Sequence, residues 1–138
     1  MEVNLRVDMR PTKEFSDFIR GDVSKLRALA LLSHDDLREI YEDIGPIIVT
    51  TTNIQKVLEK FKNGEVEQNE VQQWASFIRR GYLHSGVIGP ISPLDLPYQS
   101  KNEDLIVRVI ARLDELGDKI DGEMSKTEID DLLSQLSD

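Results

Sequence analysis

Cysteine is absent from the 138 residues. That excludes a disulfide framework, a thiolate nucleophile and thiolate metal sites together. Histidine is almost as scarce, with His34 and His84 the only two. Nucleophilic catalysis needs a nucleophile, a base within its reach and a group that orients the base. His34 lies in Ser33-His34-Asp35-Asp36 and reads as a solvated first-turn residue, while His84 stands in a Gly- and Pro-punctuated stretch beside Tyr82 and Gly86. Paired-histidine metal motifs, a phosphate loop and a dinucleotide fingerprint are all missing from the sequence. No apolar run approaches the roughly 20 residues that a membrane-crossing helix needs. The opening residues, Met1 to Arg6, lack the basic-then-apolar order of a secretory signal. A cytoplasmic binding protein is therefore expected, not an enzyme, and no cofactor or metal is expected with it.

Positive charge is also short, with 17 basic residues against 26 acidic ones and a formal net charge of -9. Nucleic acid recognition requires Lys and Arg to replace counterions along the phosphates, so DNA and RNA are disfavoured as ligands. Anionic membrane surfaces are disfavoured for the same reason. The balance suits a basic protein partner, because complementary fields speed encounter and suppress wrong pairings. It also serves plain solubility.

What the sequence does have is one template printed five times. A helix packed on one side shows apolar residues at i, i+3, i+4 and i+7, and this spacing occurs at Leu37-Ile40-Tyr41-Ile44, Ile54-Val57-Leu58-Phe61, Val71-Trp74-Ala75-Ile78, Ile106-Val109-Ile110-Leu113 and Ile129-Leu132-Leu133-Leu136. Ser33 before Asp36, Ser100 before Glu103 and Ser125 before Glu128 supply capping signals. Gly45, Gly64, Gly81 and Gly117 follow periodic stretches, where a left-handed residue ends a helix. Upstream, Asp22 to Leu32 reads as another helix, and Thr12 to Arg20 as a shorter one ending at Gly21. The predicted fold is all-α: one domain over residues 1–138, an antiparallel bundle of five to seven helices with room for a short extended N-terminal segment.

Two regions break the pattern. Val3, Leu5, Val7 and Met9 alternate with polar residues, so residues 1–11 read as an extended arm. Ile47 to Thr52 is β-branched and reads as extended before a helix that begins near Asn53. Residues 82–100 hold Gly86, Gly89, Pro90, Pro93 and Pro97 among Val87, Ile88, Ile91, Leu94 and Leu96. That mixture predicts a long ordered crossover loop, with a one-turn helix at Ser92 to Asp95. Asn63-Gly64-Glu65-Val66 and Asp121-Gly122-Glu123-Met124 repeat a turn feeding a helix, which shared punctuation explains as well as duplication does.

Residues 117–128 approach a calcium loop. Gly122 as the turn glycine puts Glu128 at the twelfth position, but Gly117 and Lys119 then fall where oxygen ligands belong, and a lysine repels the ion. The motif fails, and a capping box with Ser125 accounts for Glu128. Trp74 sits at a core position of its template, and the pairs Asp35-Asp36 and Asp130-Asp131 read as solvated surface charge.

The carboxylates are unevenly distributed. From Asp114 to Asp138 nine face only Lys119 and Lys126. On the helix after Ser33, at about 100° per residue, Asp35, Glu39, Glu42 and Asp43 fall opposite Leu37, Ile40, Tyr41 and Ile44. The helix dipole favours Asp35 and Asp36 but opposes Glu42 and Asp43 at the far end. That mismatch marks a surface facing a partner. Gly64-Glu65-Val66 leading into Glu70-Val71-Gln72-Gln73-Trp74-Ala75, with the later helix–turn–helix from Ile106 to Leu136, resembles the small acidic bacterial immunity proteins of colicin D-type and contact-dependent growth-inhibition toxins. The resemblance spans Asn53 onward. It implies a helical bundle whose acidic surface covers the basic active site of a nuclease, often one that cleaves transfer RNA. It assigns no individual contact residue; Asp35, Glu39, Glu42, Asp43, Asp130 and Asp131 are named as partner-binding from their charge and spacing alone. The alternative is a helical adaptor or regulatory subunit that takes a partner helix in an apolar groove. A small enzyme using surface carboxylates with a divalent metal is a third class.

Overall fold

Periodic spacing becomes helix where it was expected. A computed structural model describes residues 11–83, 93–118 and 122–137. These residues form seven α-helices: α1 (Thr12–Ile19), α2 (Leu26–Leu29), α3 (His34–Ile44), α4 (Thr51–Lys62), α5 (Gln68–Arg80), α6 (Glu103–Asp114) and α7 (Lys126–Leu136). Among the described residues the only extended pairing is a single parallel bridge between Val49 and Tyr98. The fold is an all-α helical bundle. No described helix is long and apolar enough to cross a membrane.

Side-chain pairings give the helix directions. Gln72 and Arg79 of α5 reach Asp114 at the end of α6, while Gly117, just past α6, lies beside Gln68 at the start of α5. The two helices therefore run antiparallel. Gln55 with Ser137, and Lys62 with Asp130, set α7 antiparallel to α4. Arg112 with Glu128, and Arg108 with Gln135, set it antiparallel to α6 as well. Helices α4 to α7 thus make an up-and-down four-helix unit. The N-terminal helices join it through α1, whose Phe15 and Phe18 meet Phe77 of α5 at ring-centroid separations of 5.9 and 5.5 Å. Trp74 lies at the centre of this junction, fully buried, and its Nε1–H donates to the Phe18 carbonyl at 2.8 Å.

Helix boundaries follow local chemistry. Ser33 accepts from the Asp36 amide at 3.1 Å and the Asp36 carboxylate accepts from the Ser33 amide at 3.2 Å, a complete capping box. Gly45 then ends α3 with φ +79°. Thr50 and Asn53 form the same reciprocal pair, so α4 begins at Thr51, two residues before the expected Asn53. Val49 supplies the extended segment instead, donating to Pro97 O at 2.8 Å and accepting from the Gln99 amide at 2.9 Å.

Four expectations are corrected. Asp22 to Leu32 is not one helix but a 3-10 turn (Val23–Lys25) followed by α2. Val23 and Leu29 are both fully buried, and six residues apart they sit about 120° round a regular helix, too far to share one face. Ser100 does not cap α6, which starts from Asn102 after a 3-10 turn, Ser100–Asn102; the bridge to Val49 holds the chain extended as far as Gln99. Glu128 does not close a capping box. Ser125 accepts from its amide, while its carboxylate takes Arg112 at 2.7 and 3.1 Å. Pro93 to Asp95 form no helical turn. The two turn sequences also differ, since Gly64 is left-handed with φ +75° and Gly122 is not, which favours shared punctuation over duplication. The extended arm, apart from Pro11, and the loop residues His84, Val87, Ile88 and Ile91 lie outside the described residues.

Gly81 ends α5 in the left-handed region at φ +82°, and Leu94 donates its amide to the Gly81 carbonyl at 2.9 Å. A Cβ on Gly81 would overlap the Leu94 carbonyl oxygen and come within 2.8 Å of its nitrogen. Gly81→Ala is therefore expected to cost more than about 1 kcal/mol, because backbone strain and overlap act together. Urea unfolding reads this directly; a change below the error of the fit would mean that residues 93–96 move aside freely.

Candidate partner-binding surface

Helix α3 buries Leu37, Ile40 and Tyr41 and turns the opposite side outward. Asp35, Glu39, Glu42 and Asp43 are all exposed, so the structure places these four where the spacing put them. The only Lys or Arg on the helix is Arg38, whose guanidinium is 4.0 Å from Asp35. With the Asp35 side chain 91% exposed, that pair neutralises little. Asp36 is committed to the cap. From Asp35 to Glu42 the row rises about 10 Å along the axis.

Two exposed apolar side chains border this helix. Leu31, two residues before the capping Ser33, is 96% exposed, and Ile48, four residues after the last helical residue, is 55% exposed. Of the large apolar side chains among the described residues, only Val107 on α6 joins them as exposed. Periodicity reveals neither, since Leu31 falls within the stretch expected to be one packed helix. A signal was present: Leu31-Leu32 and Ile47-Ile48 are apolar doublets, and neighbouring side chains outside a helix point to different sides. Ile47 is buried and Leu32 partly so; their partners face solvent.

Asp130 and Asp131 sit on α7, which packs along α4, whereas α3 packs against α1. Both are exposed. Asp130 pairs with Lys62 of α4 at 2.5 Å, and Asp131 accepts from Gln135 at 3.0 Å. The structure therefore supports α3 as one surface and does not gather the α7 pair into it.

The acidic C-terminal stretch is also less bare than its composition implies. Asp114, counted with the surface charge, has a side chain only 5% exposed, and it accepts from Arg79 at 3.0 Å, Arg80 at 2.8 Å and Gln72 at 2.9 Å. Glu128 is held by Arg112. Cations from α4, α5 and α6 answer these carboxylates, a compensation invisible to a count along the chain. Their role is to clamp helices together.

Asp22 and Tyr98 titrate away from their ordinary ranges. Burial pushes the Asp22 carboxyl up, but the Ser24 hydroxyl at 2.7 Å and the ammonium groups of Lys60, Lys25 and Lys56 outweigh it, leaving Asp22 below the usual carboxylate range. It ties the 3-10 turn to α4 through Lys60 at 3.8 Å. Burial raises the Tyr98 phenol, and nearby Arg79 offsets part of that. Among the described residues no three His, Asp or Glu side chains are grouped to hold a metal ion.

The outer face of α3 offers four exposed carboxylates, with an exposed apolar side chain before the helix in the chain and another after it. No protein-family model, curated protein or solved structure matches the chain.

Proposed function

We propose that this protein is an immunity- or antitoxin-type inhibitor that binds and occludes a basic toxin domain, a nuclease being the kind the family resemblance implies. The observation that carries the reading is the exposed row of Asp35, Glu39, Glu42 and Asp43 between two solvent-facing apolar side chains, Leu31 and Ile48. A nuclease must present cationic groups to bind phosphates. A rigid row of carboxylates competes for those groups, and bulk behind the row excludes the substrate. Charge sets the encounter rate and orientation, while burying Leu31 and Ile48 supplies affinity through slower dissociation.

The test captures the partner of the tagged protein from its source cells, with a toxin carrying a basic domain as the expected result, and follows association with it by surface plasmon resonance at several salt concentrations. The double charge reversal Glu42→Lys and Asp43→Lys is expected to slow association by about tenfold at low salt and to flatten the salt dependence. Leu31→Ser is expected to speed dissociation instead. Circular dichroism should be unchanged in both variants, since all three side chains are exposed. Unaltered on-rates and salt dependence in the charge-reversed protein would remove α3 from the interface. A helical adaptor recognising a partner helix would bind with little response to salt, so the same titration separates the two readings.

A further inference from the structure

A second surface feature is independent of the acidic helix. Between α2 and α5 lies a cavity of about 510 Å³, within the roughly 300–1,000 Å³ typical of small-molecule sites. Leu26, Ala30 and Leu83 give it apolar walls, and Arg27, Gln72, Gln73 and Ser76 contribute the polar groups.

Two of them, Arg27 and Ser76, offer donors, while each glutamine also carries an acceptor oxygen. Ser76 is only 5% exposed, and its Oγ accepts from Arg80 at 2.8 Å. Its own O–H is therefore still a donor, and no acceptor for it occurs among the described residues. The Gln72 amide nitrogen is committed to Asp114 at 2.9 Å. Arg27 is exposed at the rim and forms no ion pair with any described residue. In a chain of net charge -9, a guanidinium left over beside an apolar cavity is complementary to an anion that has an apolar body.

We propose that this cavity binds a small amphipathic carboxylate, its anionic head on the Arg27 guanidinium with the Ser76 hydroxyl as further donor, and its body against Leu26, Ala30 and Leu83. A planar guanidinium suits a carboxylate because two parallel N–H donors match its two oxygens.

The experiment titrates the full chain with 4-phenylbutyrate and with its neutral counterpart 4-phenylbutan-1-ol, by calorimetry and by amide chemical shifts. The acid should bind saturably, shifting amides around Ala30 and Ser76, with affinity at least about tenfold above the alcohol. Arg27→Gln should lower affinity for the acid by about tenfold and leave that for the alcohol unchanged. Arg27 is exposed, so this variant keeps the fold. Ala30→Phe should abolish binding of both by filling the cavity. The proposal is overturned if the acid fails to saturate, if acid and alcohol bind equally, if Arg27→Gln binds the acid as tightly as the parent, or if a folded Ala30→Phe protein retains binding.

Discussion

Trp74→Ala is expected to lower the free energy of unfolding by about 3–5 kcal/mol, the range for truncating a large buried aromatic. A domain of this size has only about 5–15 kcal/mol to lose, so the variant should be largely unfolded in mild denaturant. Trp74 is 0% exposed and contacts both halves of the molecule, and its Nε1–H holds the Phe18 carbonyl at 2.8 Å. Removing it opens a cavity and cuts a tie between α1 and the four-helix unit. Trp74→Phe separates the two effects. The ring volume is mostly kept, and the Phe18 carbonyl still accepts from the Gly21 amide at 3.0 Å. That variant should cost about 1–2 kcal/mol, from one hydrogen bond and modest packing loss. Equilibrium urea unfolding measures both, and a loss under about 1 kcal/mol for the alanine variant would contradict a central position for this indole.

The second large effect is cooperative. Arg79→Ala or Arg80→Ala alone should cost no more than about 1 kcal/mol, because both guanidinium groups are half-exposed and either can hold Asp114 without the other. The double variant leaves a carboxylate whose side chain is 5% exposed with Gln72 as its remaining partner. Stranding a buried charge costs about 3–5 kcal/mol in fully buried pairs. Gln72 moderates this, so about 3 kcal/mol is expected here. The measurable signature is non-additivity: the double variant should lose clearly more than the two single variants together. Strict additivity would mean that water reaches Asp114 once the arginines are gone.

These two cases show what the sequence carries and what it does not. Trp74 was legible as core because Val71, Trp74, Ala75 and Ile78 share one side of a helix, a local property. The ends of α3 were legible for the same reason, since Ser33, Asp36 and Gly45 act within one turn of themselves. Asp114 was not, because its partners lie 34 and 35 residues away on α5 and only the antiparallel packing of α5 and α6 brings them together. The break between Val23 and α2 was hidden likewise: Asp22 to Leu32 has adequate helix formers, and the need to bury both Val23 and Leu29 overrides them. The candidate site divides along the same line. Four carboxylates of α3 could be placed from spacing, whereas the engagement of Asp130 by Lys62 required knowing that α7 lies along α4.

Tyr41 gives α3 a further property. Its hydroxyl donates to the Asp95 carbonyl at 2.9 Å and accepts from the Ile47 amide at 3.1 Å, so one oxygen joins the acidic helix to the segment that follows it and to the distant stretch around Asp95. Tilting α3 would strand polar groups that water hardly reaches, because Tyr41 is 8% exposed. The helix is thus held in place before any encounter, so the docking proposed above would sacrifice little conformational freedom in this protein. Under the proposed function, any remodelling that recognition demands would then fall to the partner.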